Sequence, residues 1–493
     1  MNFYQIDGAV QDAIETADKR IRLKIEIQVN NHFETIFEQD IISAHFWGLK
    51  EAAGGTSARG EVIIVNTQSA ISNDGTKPGS EVRVSFSIGE GLAYFKRFVF
   101  YLDDNGVQDM RGPGRKRCVR LGLLDLSYKL RKSDEAKDWT APAIFAYMVV
   151  CDKSQPEKSL VHGIAQRAGL AANDIDCSTV PVTLPYVQLK RNIWSELSSL
   201  ATAYRCHLEC AVEKPLVFAH SPYQSEALLD DEISHNFFGD DIFYLGIKQR
   251  ADLYRNSIRL KVNMPVSLEK QEIWRYDDSP VFYDTFLQEY FPFRYPITRK
   301  IEDWDYEARY RVTENGKERN VIYADEIDRQ EEADGRLDYD GGPFCYYQYD
   351  ITTNHDKAIL KIHKENDGDL YHASIYGRPI VLDLNRSFFT RNDAEINQHG
   401  TAALNVTGSY FSDYEIDDRR QYEDWAVREL AERTQRKREF VVKTHRGLFH
   451  ARVGAKVNIS VRNEVLAGVI NAFSFRYRKG KAFVATFRIL EET

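Results

Sequence analysis

The sequence predicts a mainly β fold with an α+β insertion. Three observations carry that prediction. Aromatic residues make up 12% of the chain, with 27 Phe and 27 Tyr, and such side chains suit half-buried strands. Strict apolar–polar alternation recurs, most clearly over Ile21-Arg-Leu-Lys-Ile-Glu-Ile-Gln-Val29. Turn signals separate such runs at short intervals, as at Ile71-Ser-Asn-Asp-Gly75 and Lys77-Pro-Gly79. At 493 residues the chain exceeds what one hydrophobic core usually supports, so two to four domains are expected.

Residues 1–20 are polar, with a short helix carrying Val10, Ile14 and Ala17 on one side. After the Ile21–Val29 strand come a strand over 41–47, a turn at Gly54-Gly55-Thr56 and a strand over 60–66. Val82, Val84, Phe86 and Ile88 alternate again, 94–101 forms another strand, and 118–126 is the last before a polar stretch over 131–138. Strands at this spacing read as an antiparallel barrel or sandwich.

From about Trp139 to Asp231 the pattern turns α/β. Ser159 to Gly169 reads as a helix with Leu160, Ile164 and Ala168 on one face and Gly169 as its stop. Ile193, Trp194, Leu197, Leu200, Ala201 and Tyr204 recur at helical spacing behind Asn192, a fitting N-cap. Short strands follow at 206–212 and 216–219, broken by Glu213-Lys214-Pro215, and a longer strand-like run over 252–262. Beyond it lie aromatic clusters over 282–295 and at Tyr346-Tyr347-Gln-Tyr349, then strand candidates over 358–362 and 375–381. Residues 416–438 read as a helix with Tyr422, Trp425, Ala426 and Leu430 on its apolar face and a basic end. Alternating strands over 440–444, 448–459, 469–475 and 483–489 close the chain.

Composition narrows function. Lys and Arg total 65 against 74 Asp and Glu, a formal charge of -9, so no global positive field holds nucleic acid. Six sparse cysteines do not look like a disulfide framework. No apolar h-region opens the chain and no run is long enough to span a membrane, so synthesis and assembly in a cytoplasm are expected.

Groupings that could carry chemistry have plainer readings. Cys206-His207 with Cys210 has a spacing allowed for zinc but no second pair, and both thiols are expected to pack as small hydrophobes. His355, His363 and His372 surround Glu365-Asn-Asp-Gly-Asp369, which lacks the spaced ligands of a calcium loop and reads as a polar turn. Asp277-Asp278 and Asp303 with Asp305 could serve glycoside hydrolysis, although 74 acidic residues make such doublets by chance. The four cations in residues 111–117 could touch phosphate, but a solvated hairpin tip is favoured. No nucleophile elbow, P-loop or zinc-protease motif occurs. No catalytic residue, cofactor site or metal site is assigned.

Several of these patterns together resemble the baseplate hub and tail-tip hub proteins of phage tails and contractile injection particles. They are the Trp194 helix feeding a hairpin, the strand with Asn256 near its start, and the small-residue run Thr56-Ser-Ala-Arg-Gly60 before a hydrophobic strand. Others are Lys77-Pro-Gly79 before an alternating strand, Ala168-Gly169-Leu170, Gly377-Arg-Pro379 and the Gly454 turn before the last strands. The resemblance implies two tube-like antiparallel β-barrel domains, a small α/β domain, and a C-terminal helix leading to a closing β unit. On that basis 1–135 is the first tube-like domain and 136–234 the α/β insertion. Residues 235–266 with 358–493 make the second tube-like domain, and 267–357 form an aromatic-rich insertion.

The resemblance also implies a structural role and not an enzyme's. Three copies would form a pseudo-sixfold ring joining a hexameric tail tube to a trimeric spike, within the tail of a virion or phage-like particle. The expected partners are further copies of the chain, tail tube and distal tail proteins, the spike or tip protein and the tape measure protein. DNA would pass through without specific binding. A rival from another class is a carbohydrate-binding adhesin or glycan hydrolase of the cell envelope, using the aromatic stretch from Trp274 to Tyr310.

Overall fold

In a computed structural model the protein is mostly β-strand, with short helices between sheets. The structure describes residues 21–50, 55–65, 71, 76–88, 94–111, 117–133, 140–141, 149–184, 187–189, 191–211, 215–220, 233–276, 286–292, 305–314, 317–326, 328–331, 337–340, 345–349, 357–363, 368–377, 380–408, 410–411, 415–416, 418–435, 437–446, 451–461 and 464–492. The helix expected in residues 1–20 and the turn at 72–75 lie outside these.

The alternation over Ile21–Val29 appears directly as burial, with every second side chain inside. This strand belongs to a 16-stranded sheet. From one end its main path runs Ile242–Gln249, Arg438–Thr444, Val484–Glu491, Glu464–Arg478, Ile41–Lys50 and Gly55–Val65. It continues through Arg117–Leu124, Phe95–Arg111, Glu81–Ile88, Ile21–Val29 and His32–Phe37. The N-terminal and C-terminal strands therefore form one hydrogen-bonded surface. They join where Ile41–Lys50 pairs antiparallel with Glu464–Arg478.

One core serves both halves. Phe46, Phe86, Phe98 and Phe100 from the first half meet Phe473, Phe475 and Phe487 from the second. Their rings pack at centroid separations of 5.0 to 6.3 Å, as between Phe98 and Phe473 at 6.0 Å and Phe86 and Phe475 at 6.3 Å. The small-residue run before the hydrophobic strand has a steric cause. A Cβ on Gly60 would lie 2.8 Å from the Phe46 ring, and one on Gly55 would lie 2.7 Å from Trp194.

A second core fills the α/β region and its supports, with Trp194, Leu197, Leu200, Phe218, Phe411 and Trp425 among its members. Asn192 caps the helix Ile193–Ala203 as expected, accepting from the Ser195 amide at 2.9 Å. At its other end, two carbonyls accept from side-chain donors on the helix Gln421–Thr434. Gln421 Nε2 donates to the Ala203 carbonyl at 2.7 Å and Trp425 Nε1 to that of Thr202 at 3.0 Å.

Asn256 is fully buried and explains the asparagine near the start of its strand. Its side chain donates to the Gly400 carbonyl and accepts from the Ala402 amide, each at 2.7 Å, fixing that loop beside the Ser257–Ser267 strand. This strand, Ile380–Arg391 and Ala403–Gly408 form a three-stranded sheet. Four- and five-stranded sheets hold the strands between Gln271–Tyr276 and Gly368–Gly377.

Several boundaries differ from expectation. Gly55 and Thr56 are strand, not turn, because they pair in parallel with Leu208 and Glu209, and Thr56 also pairs with Lys50. The strand expected over 94–101 runs Phe95–Arg111, its polar second half held by Arg117–Leu124. The strand expected to reach 126 stops at Leu124, since Asp125 caps a helix Leu126–Lys132 by accepting from the Ser127 amide. The helix expected over 416–438 is Gln421–Thr434, preceded by a small antiparallel pair, and Arg438 begins the next strand. The helix Asp393–His399, capped by Asn392, lacked an apolar face to announce it.

Candidate interface: the sheet edges

The two halves repeat one strand plan. In the first half the order is Ile41–Lys50, Gly55–Val65, Arg117–Leu124, Phe95–Arg111, Glu81–Ile88. In the second it is Ile242–Gln249, Arg438–Thr444, Val484–Glu491, Glu464–Arg478, Lys456–Val461. Every neighbouring pair is antiparallel in both. Each set also contains one long strand, of 17 and 15 residues, in the same place. A three-residue 3-10 turn precedes the first strand of each set, at Glu38–Asp40 and Gly239–Asp241.

This repeat makes the seam informative. The second half's long strand pairs through 464–469 with Lys456–Val461, then through 472–478 with Ile41–Lys50 of the first half. The first half's long strand pairs through 95–101 with Glu81–Ile88. Residues 107–111 beyond it pair on one side only, with Arg117–Leu124, among the described residues. Among the described residues the Ile242–Gln249 strand likewise has a single partner, whereas its counterpart Ile41–Lys50 has two. Among these residues the plan is thus satisfied once within the chain and left open once at each of two edges.

Ile242–Gln249 exposes apolar side chains, whereas residues 107–111 carry Asp109 in an exposed pair with Arg117 at 3.2 Å. Along Ile242–Gln249, Phe243 is 51%, Tyr244 48% and Ile247 59% exposed, and Met110 on the other edge is 39% exposed. The edge strand His32–Phe37 presents an exposed His32–Glu34 pair at 3.0 Å together with an exposed Phe37. Charge on an edge strand discourages pairing.

A buried ionic cluster fixes the insertion where the two halves meet. Arg452 Nη1 lies 2.8 Å from Glu209 Oε1, and His207 Nε2 lies 2.8 Å from Glu209 Oε2. Arg97 donates to the Ala451 carbonyl at 3.2 Å. Burial works to raise the Glu209 carboxyl, but Arg452, His207 and Arg97 outweigh it and hold the pKa at about 2.

The other groupings disperse. Cys206 is buried and Cys210 partly buried against the second core, as packing predicted, while the strand itself ends at Glu209 and His207 turns to that carboxylate. His363 ends the strand Lys357–His363 and His372 lies within Gly368–Gly377, whereas His355 and residues 364–367 lie outside the described residues. So do Asp277, Asp278, Asp303 and residues 112–116. Trp274 stands in the strand Gln271–Tyr276 opposite Ile375, and its side chain is outside the described set. No helix among the described residues is long and apolar enough to cross a membrane.

No family profile and no curated protein matches this sequence. Solved phage tail proteins are similar to it in structure. The 43 kDa tail protein of prophage MuSo2 from Shewanella oneidensis has a TM-score of 0.45 at 9% identity, covering 95% of this chain and 98% of that chain. A tail protein from Neisseria meningitidis MC58 gives 0.43 at 8% identity, covering 95% and 96%. Prophage tail protein gp18 from Listeria monocytogenes EGD-e gives 0.41 at 10% identity, covering 94% of each.

Proposed function

We propose that this chain is a structural hub subunit of a phage-like tail. Three copies close head to tail into a pseudo-sixfold ring between a hexameric tail tube and a trimeric spike. The observation that carries this reading is the repeated strand plan, joined once within the chain and open at both ends. The Ile242–Gln249 strand of one copy pairs with residues 107–111 of the next, as Ile41–Lys50 pairs with residues 472–478 inside each chain. A contact between two different surfaces generates a ring when its rotation closes. Two similar units per chain and three chains then give six similar positions.

The ring's role is mechanical and not catalytic: it matches two symmetries and lines a conduit. Its partners are the tube and distal tail proteins on one side and the spike or tip protein on the other. The tape measure protein lies within, and DNA or an effector passes without specific binding, in keeping with a net charge of -9. Its place is the tail of the particle, assembled in a bacterial cytoplasm. Negative-stain electron microscopy of the purified chain tests the reading. Threefold ring particles with six peripheral densities support it; discrete single-chain particles at every concentration oppose it.

A further inference from the structure

The α/β region contains a side-chain cluster for which ring assembly has no use. Cys151 ends the strand Val149–Cys151, His162 lies near the start of the helix Leu160–Gln166, and Cys177 ends the strand Ile175–Cys177. One ligand atom from each lies within 4.8 Å of the other two. All three are buried, at 0%, 2% and 5% exposure. Among the described residues this is the one such grouping of three His, Cys, Asp or Glu side chains. The spacing matches no short metal motif, so the sequence alone does not bring the three together.

The surroundings favour coordination. Ser159 caps the helix, and its hydroxyl lies 2.7 Å from His162 Nδ1, the kind of outer contact that fixes a ligating ring. Two thiolates, a neutral imidazole and a divalent cation sum to zero charge, which suits a buried site. The elements gathered are a three-residue strand, a seven-residue helix and another three-residue strand. Such short pieces gain most from a staple.

We propose that Cys151, His162 and Cys177 bind one thiophilic cation, zinc(II), with water in the fourth position, and that the ion holds the α/β region together. Borderline-soft zinc matches this nitrogen and sulfur donor set. Binding displaces both thiol protons to solvent, and no electron is transferred.

The test uses the full chain purified without chelator after growth with zinc. Elemental analysis is expected to find about one zinc per chain. Cobalt(II) exchange is expected to produce thiolate-to-cobalt absorption, and chelation to lower the melting temperature. Cys177→Ser should lose the zinc and the absorption; Cys118→Ser, which alters a buried thiol in the strand Arg117–Leu124, should keep both. Absence of zinc together with absence of cobalt–thiolate absorption in the wild-type chain overturns the proposal. So does full zinc retention by Cys177→Ser, or a Cys151–Cys177 disulfide in a non-reducing digest. Should Cys177→Ser fail to fold, the wild-type cobalt spectrum and chelator shift still decide.

Discussion

Phe46 and Phe475 stand directly opposite each other across the seam between the two halves, and both are fully buried. Phe46 stacks on Phe100 at 6.0 Å and Phe475 on Phe473 at 5.0 Å, so the seam passes through the centre of the core. Separation of the halves would expose this aromatic group to water. Phe475→Ala is expected to cost about 3–5 kcal/mol. Urea titration should show the wild-type first-core strands losing structure in one transition. Two separate transitions for the N-terminal and C-terminal strands, followed by hydrogen exchange, would contradict a shared core.

Asn256→Ala removes a donor and an acceptor at once, leaving the Gly400 carbonyl and Ala402 amide to find other partners. The expected loss is about 2 kcal/mol, read from the denaturation midpoint. Asn256→Asp keeps the acceptor and loses the donor to Gly400, so it should also destabilise. An unchanged midpoint in both variants would show that the loop is held by other contacts.

Glu209 sets an acid limit. Its carboxyl falls from the ordinary 4.5 to about 2 in the folded chain. A lowered carboxyl pKa means that the unfolded chain binds the proton first as pH drops. The stabilisation is therefore full above about pH 4.5 and is lost as pH falls towards about 2, with a total on the order of 3 kcal/mol. Glu209→Gln should be less stable than wild type at neutral pH, and the gap should shrink at pH 3. A gap independent of pH would show that ionisation of Glu209 contributes nothing.

The sequence announces elements whose chemistry is local and conceals those made by distant partners. Ile21–Val29 is legible because alternation and burial are the same fact, and the 193–203 helix because Asn192 caps it. The extension of Phe95–Arg111 was not legible, since Asp103, Asp104 and Asn105 read as loop and lie in an irregularity after which residues 107–111 pair again with Arg117–Leu124. The repeated strand plan is hidden because the sheets after residue 250 and the helix Gln421–Thr434 separate Ile242–Gln249 from Arg438–Thr444. The open edge itself had only a weak signal: the apolar residues Phe243, Tyr244, Leu245 and Ile247 do not alternate with polar ones. The Cys151, His162 and Cys177 cluster left none, because its members come from three elements.

Ile247→Lys places a charge on the open edge at an exposed position, so folding stability should change by less than about 0.5 kcal/mol. Assembly should fail, because charge on an edge strand opposes pairing. A destabilised monomer would point to a role in folding, and an intact ring would rule out this edge as the contact.

The mass of the purified wild-type chain by light scattering after size exclusion tests the central claim most directly. Three times 56.9 kDa is the predicted result, with Ile247→Lys eluting at 56.9 kDa. A wild-type mass of 56.9 kDa that persists at high concentration would contradict self-assembly through the open edges.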